Sequence, residues 1–161
     1  WGCEADLPGP TGESNRLDFS PRGEVFCLAD SEAGLLRQIA AVLATGNAPV
    51  LLSPADTTPG LYRYDAVAKA VLSRLPETLT AGWRSAVFAE ASLAGGVLHE
   101  GDAKVRRSLQ QRLAASDGPL VSVVMPLEQG RYPLFRLLCE HVQTVNTTAA
   151  GGNASLMAQA L

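Results

Sequence analysis

From Glu24 onward the chain alternates unbroken apolar runs with stretches in which apolar residues return every three or four positions. Val25–Ala29 is continuous and apolar, as a strand covered on both faces would be. Asp30 or Ser31 can cap the helix that follows by accepting a backbone N–H. Leu35, Ile39, Val42 and Leu43 share one face of that helix, and Gly46 ends it. Pro49–Ser53 predicts the second strand. Thr58 before Pro59 reads as a cap followed by the first helical position, and Val67, Val71 and Leu75 carry the apolar stripe to Pro76. Ala86–Ala89 and Val97–His99 predict two short strands around a loop of small residues. Asp102 then caps a helix with Val105, Leu109 and Leu113 on one face, closed by Gly118. Leu120–Val124 is the next strand, and Pro133 opens a helix through Leu134, Leu137 and Leu138 that runs out near Val142. Gln143–Asn146 closes the series as a last strand.

Strands alternating with helices of about a dozen residues imply βαβ units and a parallel sheet. The expectation is an α/β protein with a Rossmann-like parallel sheet and helices on both faces, over residues 24–146. Residues 1–23 differ in kind. Leu7–Glu13 is rich in proline and glycine, as turns are, and Arg16–Ser20 alternates as a short strand does. An N-terminal β-arm or flap is expected there, with the potential to pair edge to edge with another chain.

Residues 147–161 form an extended C-terminal tail with no Asp, Glu, Lys or Arg. A dispensable tail is usually charged or poor in hydrophobic residues, whereas this one holds Leu156 and Met157 beside the flexible pair Gly151 and Gly152. The expected docking segment comprises Thr144, Val145, Asn146, Thr147, Ala149, Ala150, Gly151, Gly152, Asn153, Ala154, Ser155, Leu156 and Met157. A flexible Gly/Ala terminus is the plainer alternative.

Composition narrows the functional classes. A chain of 161 residues with 47% hydrophobic and 18% charged residues suits a single globular domain. A net charge of −3 supplies no basic field for nucleic acid or anionic lipid. No run of eighteen apolar residues is available to insert into a membrane, and no basic-then-apolar leader opens the chain, so a cytoplasmic protein is expected. The start at Trp1 suggests a piece of something longer. Cys3, Cys27 and Cys139 fit neither a disulfide framework nor a zinc pattern, so no metal site is expected.

Candidate chemistry is sparse. A dinucleotide turn needs glycines where the first strand meets its helix, so that backbone N–H groups reach the pyrophosphate. Asp30 and Glu32 stand there instead and would repel it, and no G-x-G-x-x-G occurs. His99 ends a strand, where α/β folds place functional groups, yet a satisfied structural histidine reads better. Cys139 and His141, two apart on the expected helix, would point to different faces. Lys104, Arg106, Arg107 and Arg112 read as a solvated helix face, with Asp102 able to pair with Arg106, ahead of phosphate or nucleic-acid contact. No catalytic or cofactor-binding residue is assigned.

The tail Thr144–Met157 closely resembles the C-terminal motif of the bifunctional proline utilization A flavoenzymes. Leu7–Asn15 is similar to the segment that follows their aldehyde dehydrogenase region. Val25–Asp30, Gly118–Val123 and the stretch holding Arg136, Leu137 and Glu140 are similar too, so the likeness spans essentially the whole chain. The resemblance implies an aldehyde-dehydrogenase-like fold without catalytic equipment, in a parent that uses FAD and NAD to oxidise proline to glutamate through pyrroline-5-carboxylate. It implies a lid over the parent's channelling tunnel, with the aldehyde dehydrogenase domain of the same polypeptide as partner. The parent would be cytoplasmic, or membrane-peripheral through its flavin domain. The lead expectation is therefore a non-catalytic C-terminal lid and scaffold domain. The alternative is a vestigial dinucleotide-binding regulatory domain of the same enzyme. Calorimetric titration with NAD separates the two: a lid gives no heat, and saturable heat favours the alternative. An independent small enzyme would need an active constellation that the sequence does not supply.

Overall fold

The computed structural model describes residues 4–146. In chain order, β1 (Ala5–Leu7) and β2 (Glu13–Pro21) precede β3 (Glu24–Leu28), α1 (Glu32–Ala44) and β4 (Ala48–Leu52). Then come α2 (Tyr62–Leu72), the single turn α3 (Glu77–Thr80), β5 (Arg84–Ala86), β6 (Gly96–His99), α4 (Ala103–Ala114), β7 (Val123–Val124) and β8 (Leu138–Asn146). The described residues form two compact units, Pro21–Leu138 and a second made of residues 4–20 with 139–146.

The larger unit is built on a five-stranded sheet in the order β5-β4-β3-β6-β7, with every pair parallel. Successive residues of β3 feed opposite faces. Val25, Cys27 and Ala29 pack with Leu35, Ile39 and Val42 of α1 and Val71 of α2. Phe26 and Leu28 pack with Tyr64, Phe88 and, from α4, Leu109 and Leu113. The unbroken apolar run of β3 is thus required by helices on both sides. Pro49 is tolerated inside β4 because pairing with β5 begins one residue later, at Val50 opposite Arg84. Ser31 is the cap of α1, its Oγ accepting from Gly34 N. Asp102 Oδ1 accepts from both Lys104 N and Val105 N at the start of α4. No helix among the described residues is long and apolar enough to cross a membrane.

The second unit contains a three-stranded sheet in the order β1-β2-β8. β1 and β2 are antiparallel, with Asp6 opposite Arg16. Ser20 Oγ lies 2.7 Å from His141 Nε2 within this unit.

Several expectations are corrected. The helix expected from Pro133 to near Val142 is one 3-10 turn, Leu134–Leu137, followed directly by β8. Only Leu137 of its expected apolar face is fully buried, and the Leu137 carbonyl accepts from Asn47 Nδ2 at 2.9 Å, where a helix running on to Val142 would offer it the His141 N–H. Val142, Thr144 and Val145 favour an extended backbone. The strand expected at Gln143–Asn146 is the end of β8, hydrogen-bonded in the small sheet and not added to the parallel one. Cys139 and His141 therefore share a strand face, since alternate residues do so. Residues 120–122 lie outside β7, and Leu120 is 88% exposed. β5 ends at Ala86, and Phe88–Leu93 is a 3-10 helix. Thr58 closes a turn by accepting from Leu61 N, and α2 starts at Tyr62 without a side-chain cap.

Candidate functional site

The strand order reverses beside β3: β4 and β5 lie on one side, β6 and β7 on the other. The crevice beyond the carboxyl ends of β3 and β6 is where open α/β sheets place ligands. Here Ala29–Ser31 leaves β3, while Glu100, Gly101 and Asp102 leave β6. Side chains of this chain fill the crevice.

Glu100 takes the position of an anion at the start of α1. Its Oε2 accepts from Ser31 Oγ at 3.0 Å, and Ser31 Oγ accepts in turn from Gly34 N at 3.0 Å. A Cβ on Gly34 would overlap the Glu100 carboxylate, so the glycine admits the acid to the helix start. Arg37 Nη1 lies 3.9 Å from Glu100 Oε1. The helix N-terminus that could receive a phosphate thus carries a carboxylate already.

A second chain of contacts crosses the crevice. Arg63 Nε approaches Asp30 Oδ1 to 2.9 Å as an ion pair, although the N–H is not aligned to donate along that line. Arg63 Nη2 donates to Tyr64 Oη at 3.1 Å, and Tyr64 Oη lies 2.9 Å from His99 Nε2. His99 Nδ1 sits 3.4 Å from Met125 Sδ. Gly101 has φ +142°, and a Cβ there would stand 2.6 Å from Asp30 Oδ2, so glycine is required on both counts.

The electrostatics follow from burial. His99 is fully buried, and desolvation with help from the Arg63 charge pulls its pKa down to about 4. Burial pushes the Tyr64 phenol up, opposed by the hydrogen bond from Arg63. Burial also raises the Asp30 carboxyl, against the pull of Arg63. Beneath them, the buried Gln38 donates from Nε2 to Leu28 O and to Tyr132 Oη. Burial holds the Cys27 thiol protonated, well above the ordinary thiol range. Among the described residues, no cluster of three His, Cys, Asp or Glu side chains could hold a metal. The arrangement presents neutral or self-paired groups to the crevice.

Against known proteins, no family model matches the chain. The bifunctional protein PutA of Rhizobium meliloti is 37% identical over 166 residues, covering 98% of this chain and 12% of the relative. PutA of Escherichia coli K12 is 40% identical over 157 residues, covering 97% of this chain and 11% of the relative. The chain is homologous to a segment of PutA. It spans about an eighth of the length of those PutA relatives. Among solved structures, a proline utilization A described with proline bound in remote sites aligns with a TM-score of 0.55 at 25% identity. That alignment covers 76% of this chain and 13% of the PutA chain. A putative aldehyde dehydrogenase from Burkholderia cenocepacia aligns with a TM-score of 0.51 at 18% identity, over 77% of this chain and 27% of its own. At that identity the likeness is one of fold, and it supports the aldehyde-dehydrogenase-like parallel sheet.

Of the expected docking residues, Thr144, Val145 and Asn146 form the end of β8. Thr147, Ala149, Ala150, Gly151, Gly152, Asn153, Ala154, Ser155, Leu156 and Met157 lie outside the described residues. His99 ends β6, bonded on both ring nitrogens. Asp102 caps α4, and among the described residues no ion pair joins it to Arg106. Sequence reasoning missed Arg63, Tyr64 and Glu100. Glu100 directly follows a strand and was the legible signal, whereas Tyr64 meets His99 across 35 residues of chain, which no local pattern reports.

Proposed function

We propose that the chain is a non-catalytic C-terminal lid and scaffold domain of a bifunctional proline-catabolic flavoenzyme. In this reading it covers the tunnel that carries pyrroline-5-carboxylate and packs on the aldehyde dehydrogenase domain of the same polypeptide. FAD and NAD serve other domains of that parent.

The observation that carries the reading is the closure of the crevice by Glu100 and Asp30, on a chain homologous almost end to end to part of PutA. At the start of α1 the Ser31 hydroxyl takes the Gly34 N–H and the Glu100 carboxylate fills the space beyond it, so a pyrophosphate would lose that donor and meet a repulsive field. Large apolar side chains meanwhile stand in the open: Leu93 is 86% exposed, Tyr62 78% and Phe135 65%. Such residues are contact material where a partner surface covers them. The segment Thr144–Met157 is the docking element, and the N-terminal β1–β2 hairpin is the flap through which self-association could also run. Sealing acts by geometry, keeping the released intermediate at high effective concentration near the second active site.

Hydrogen exchange tests the docking. In the parent enzyme, amides of residues 147–157 are expected to exchange far more slowly than in the isolated 161-residue chain. Equal exchange in both would remove the tail from the interface.

A further inference from the structure

The α4 surface holds a feature that the lid reading does not use. Lys104, Ser108 and Arg112 recur every four residues, so they line one face of α4 over about 12 Å. They face the Thr58–Leu61 turn across a cavity of about 350 Å³. A smaller cavity of about 110 Å³ continues past Arg112 to Phe88 and Leu113. The two share Thr58 and Arg112, which places both residues at their junction.

Its chemistry is asymmetric. Leu61 and Leu109, both almost fully buried, give the larger cavity an apolar floor. No acidic residue lines either cavity. The neighbouring acids are turned elsewhere: Asp56 accepts from Thr58 N and Phe88 N, and Asp102 caps α4. α4 itself carries four cations and no acid. Six described cations, Arg16, Arg37, Arg63, Lys69, Arg74 and Arg84, each meet a carboxylate, whereas the four on α4 do not. Lys104 and Arg112 meet none among the described residues, and the Thr58 and Ser108 hydroxyls have no hydrogen-bond partner there.

We infer that this groove is a binding site for a small organic anion. The acid head, a carboxylate or a phosphate ester, is held by Lys104 and Arg112 through charge-assisted hydrogen bonds. The apolar body lies on Leu61 and Leu109. The larger cavity falls within the usual size range of small-molecule sites. An isolated inorganic anion would leave the floor uncovered, so the apolar body is part of the specificity. This inference is independent of the lid reading, since it uses neither the crevice nor the tail.

Amide-resolved NMR titration of the 161-residue chain tests it, with 4-phenylbutyrate and phenyl phosphate as probes and 4-phenylbutylamine as the cationic control. Saturable shifts are expected at residues 58–61 and 104–112 with at least one of the two acids and not with the amine. Whichever acid binds more tightly identifies the head group. The double variant Lys104→Gln/Arg112→Gln, its spectrum showing that it is folded, is expected to bind at least about tenfold more weakly. No saturable shift at those residues, equal binding of the amine, or unchanged affinity in the double variant would overturn the inference.

Discussion

Phe26→Ala is expected to cost roughly 3–5 kcal/mol of folding stability, the range for emptying a large aromatic from a packed core. Phe26 stands mid-way along β3, the central strand, opposite Val50 on one side and Val97 on the other, and all three are fully buried. Its ring meets Phe88 edge to face at 6.2 Å and 79°, so the substitution removes an aromatic pair as well as buried area. Strands hydrogen-bonded on both sides cannot move inward to fill the hole, which places the loss at the upper end of that range. Against total stabilities of roughly 5–15 kcal/mol, such a loss takes a large share. Urea unfolding at neutral pH measures it. Val142→Ala, on the exposed β8, is expected to move stability by no more than about 0.5 kcal/mol. Near-equal effects of the two would mean that β3 is not the centre of the core.

Acidification is expected to destabilise the fold through His99. Its pKa is about 4 in the fold against 6.5 for the free side chain, so between those values the unfolded chain binds the extra proton. Stability is therefore intact above pH 6.5 and falls as the pH drops toward 4, by on the order of 3 kcal/mol if the shift is fully expressed. Asp30 acts in the opposite sense. Burial raises its carboxyl, so the fold gains from protonating Asp30 as the pH falls. The difference between wild type and His99→Gln isolates the histidine from that opposing slope. His99→Gln is expected to be less stable at pH 7, because Tyr64 Oη loses its ring partner, yet flatter between pH 7 and pH 4. Parallel curves for the two proteins would show that His99 is not held neutral by the fold.

Parts of this structure are legible in the residues because their signals are local. Val25–Leu28 could be read from its apolar continuity, and Ser31 and Asp102 from the polar residue placed just before a periodic stretch. The parallel sheet followed from alternation of such segments. Leu134, Leu137 and Leu138 misled because their spacing suits a helix, while the β-branched residues after them favour a strand that finds β2 more than a hundred residues away in sequence. The crevice was legible only in part. Acidic residues after β3 argued against a phosphate site, but the carboxylate at the start of α1 comes from Glu100 on another strand. Arg63 and Tyr64 read as ordinary positions at the start of α2, and only the fold sets them against Asp30 and His99.

The coupled proline-to-NADH time course of the parent enzyme, with and without these 161 residues, tests the lid most directly. A lag is expected to appear on removal, with proline oxidation and aldehyde oxidation each unchanged when assayed alone, because the intermediate then escapes to bulk solvent before reaching the second site. A time course without a lag would contradict the lid.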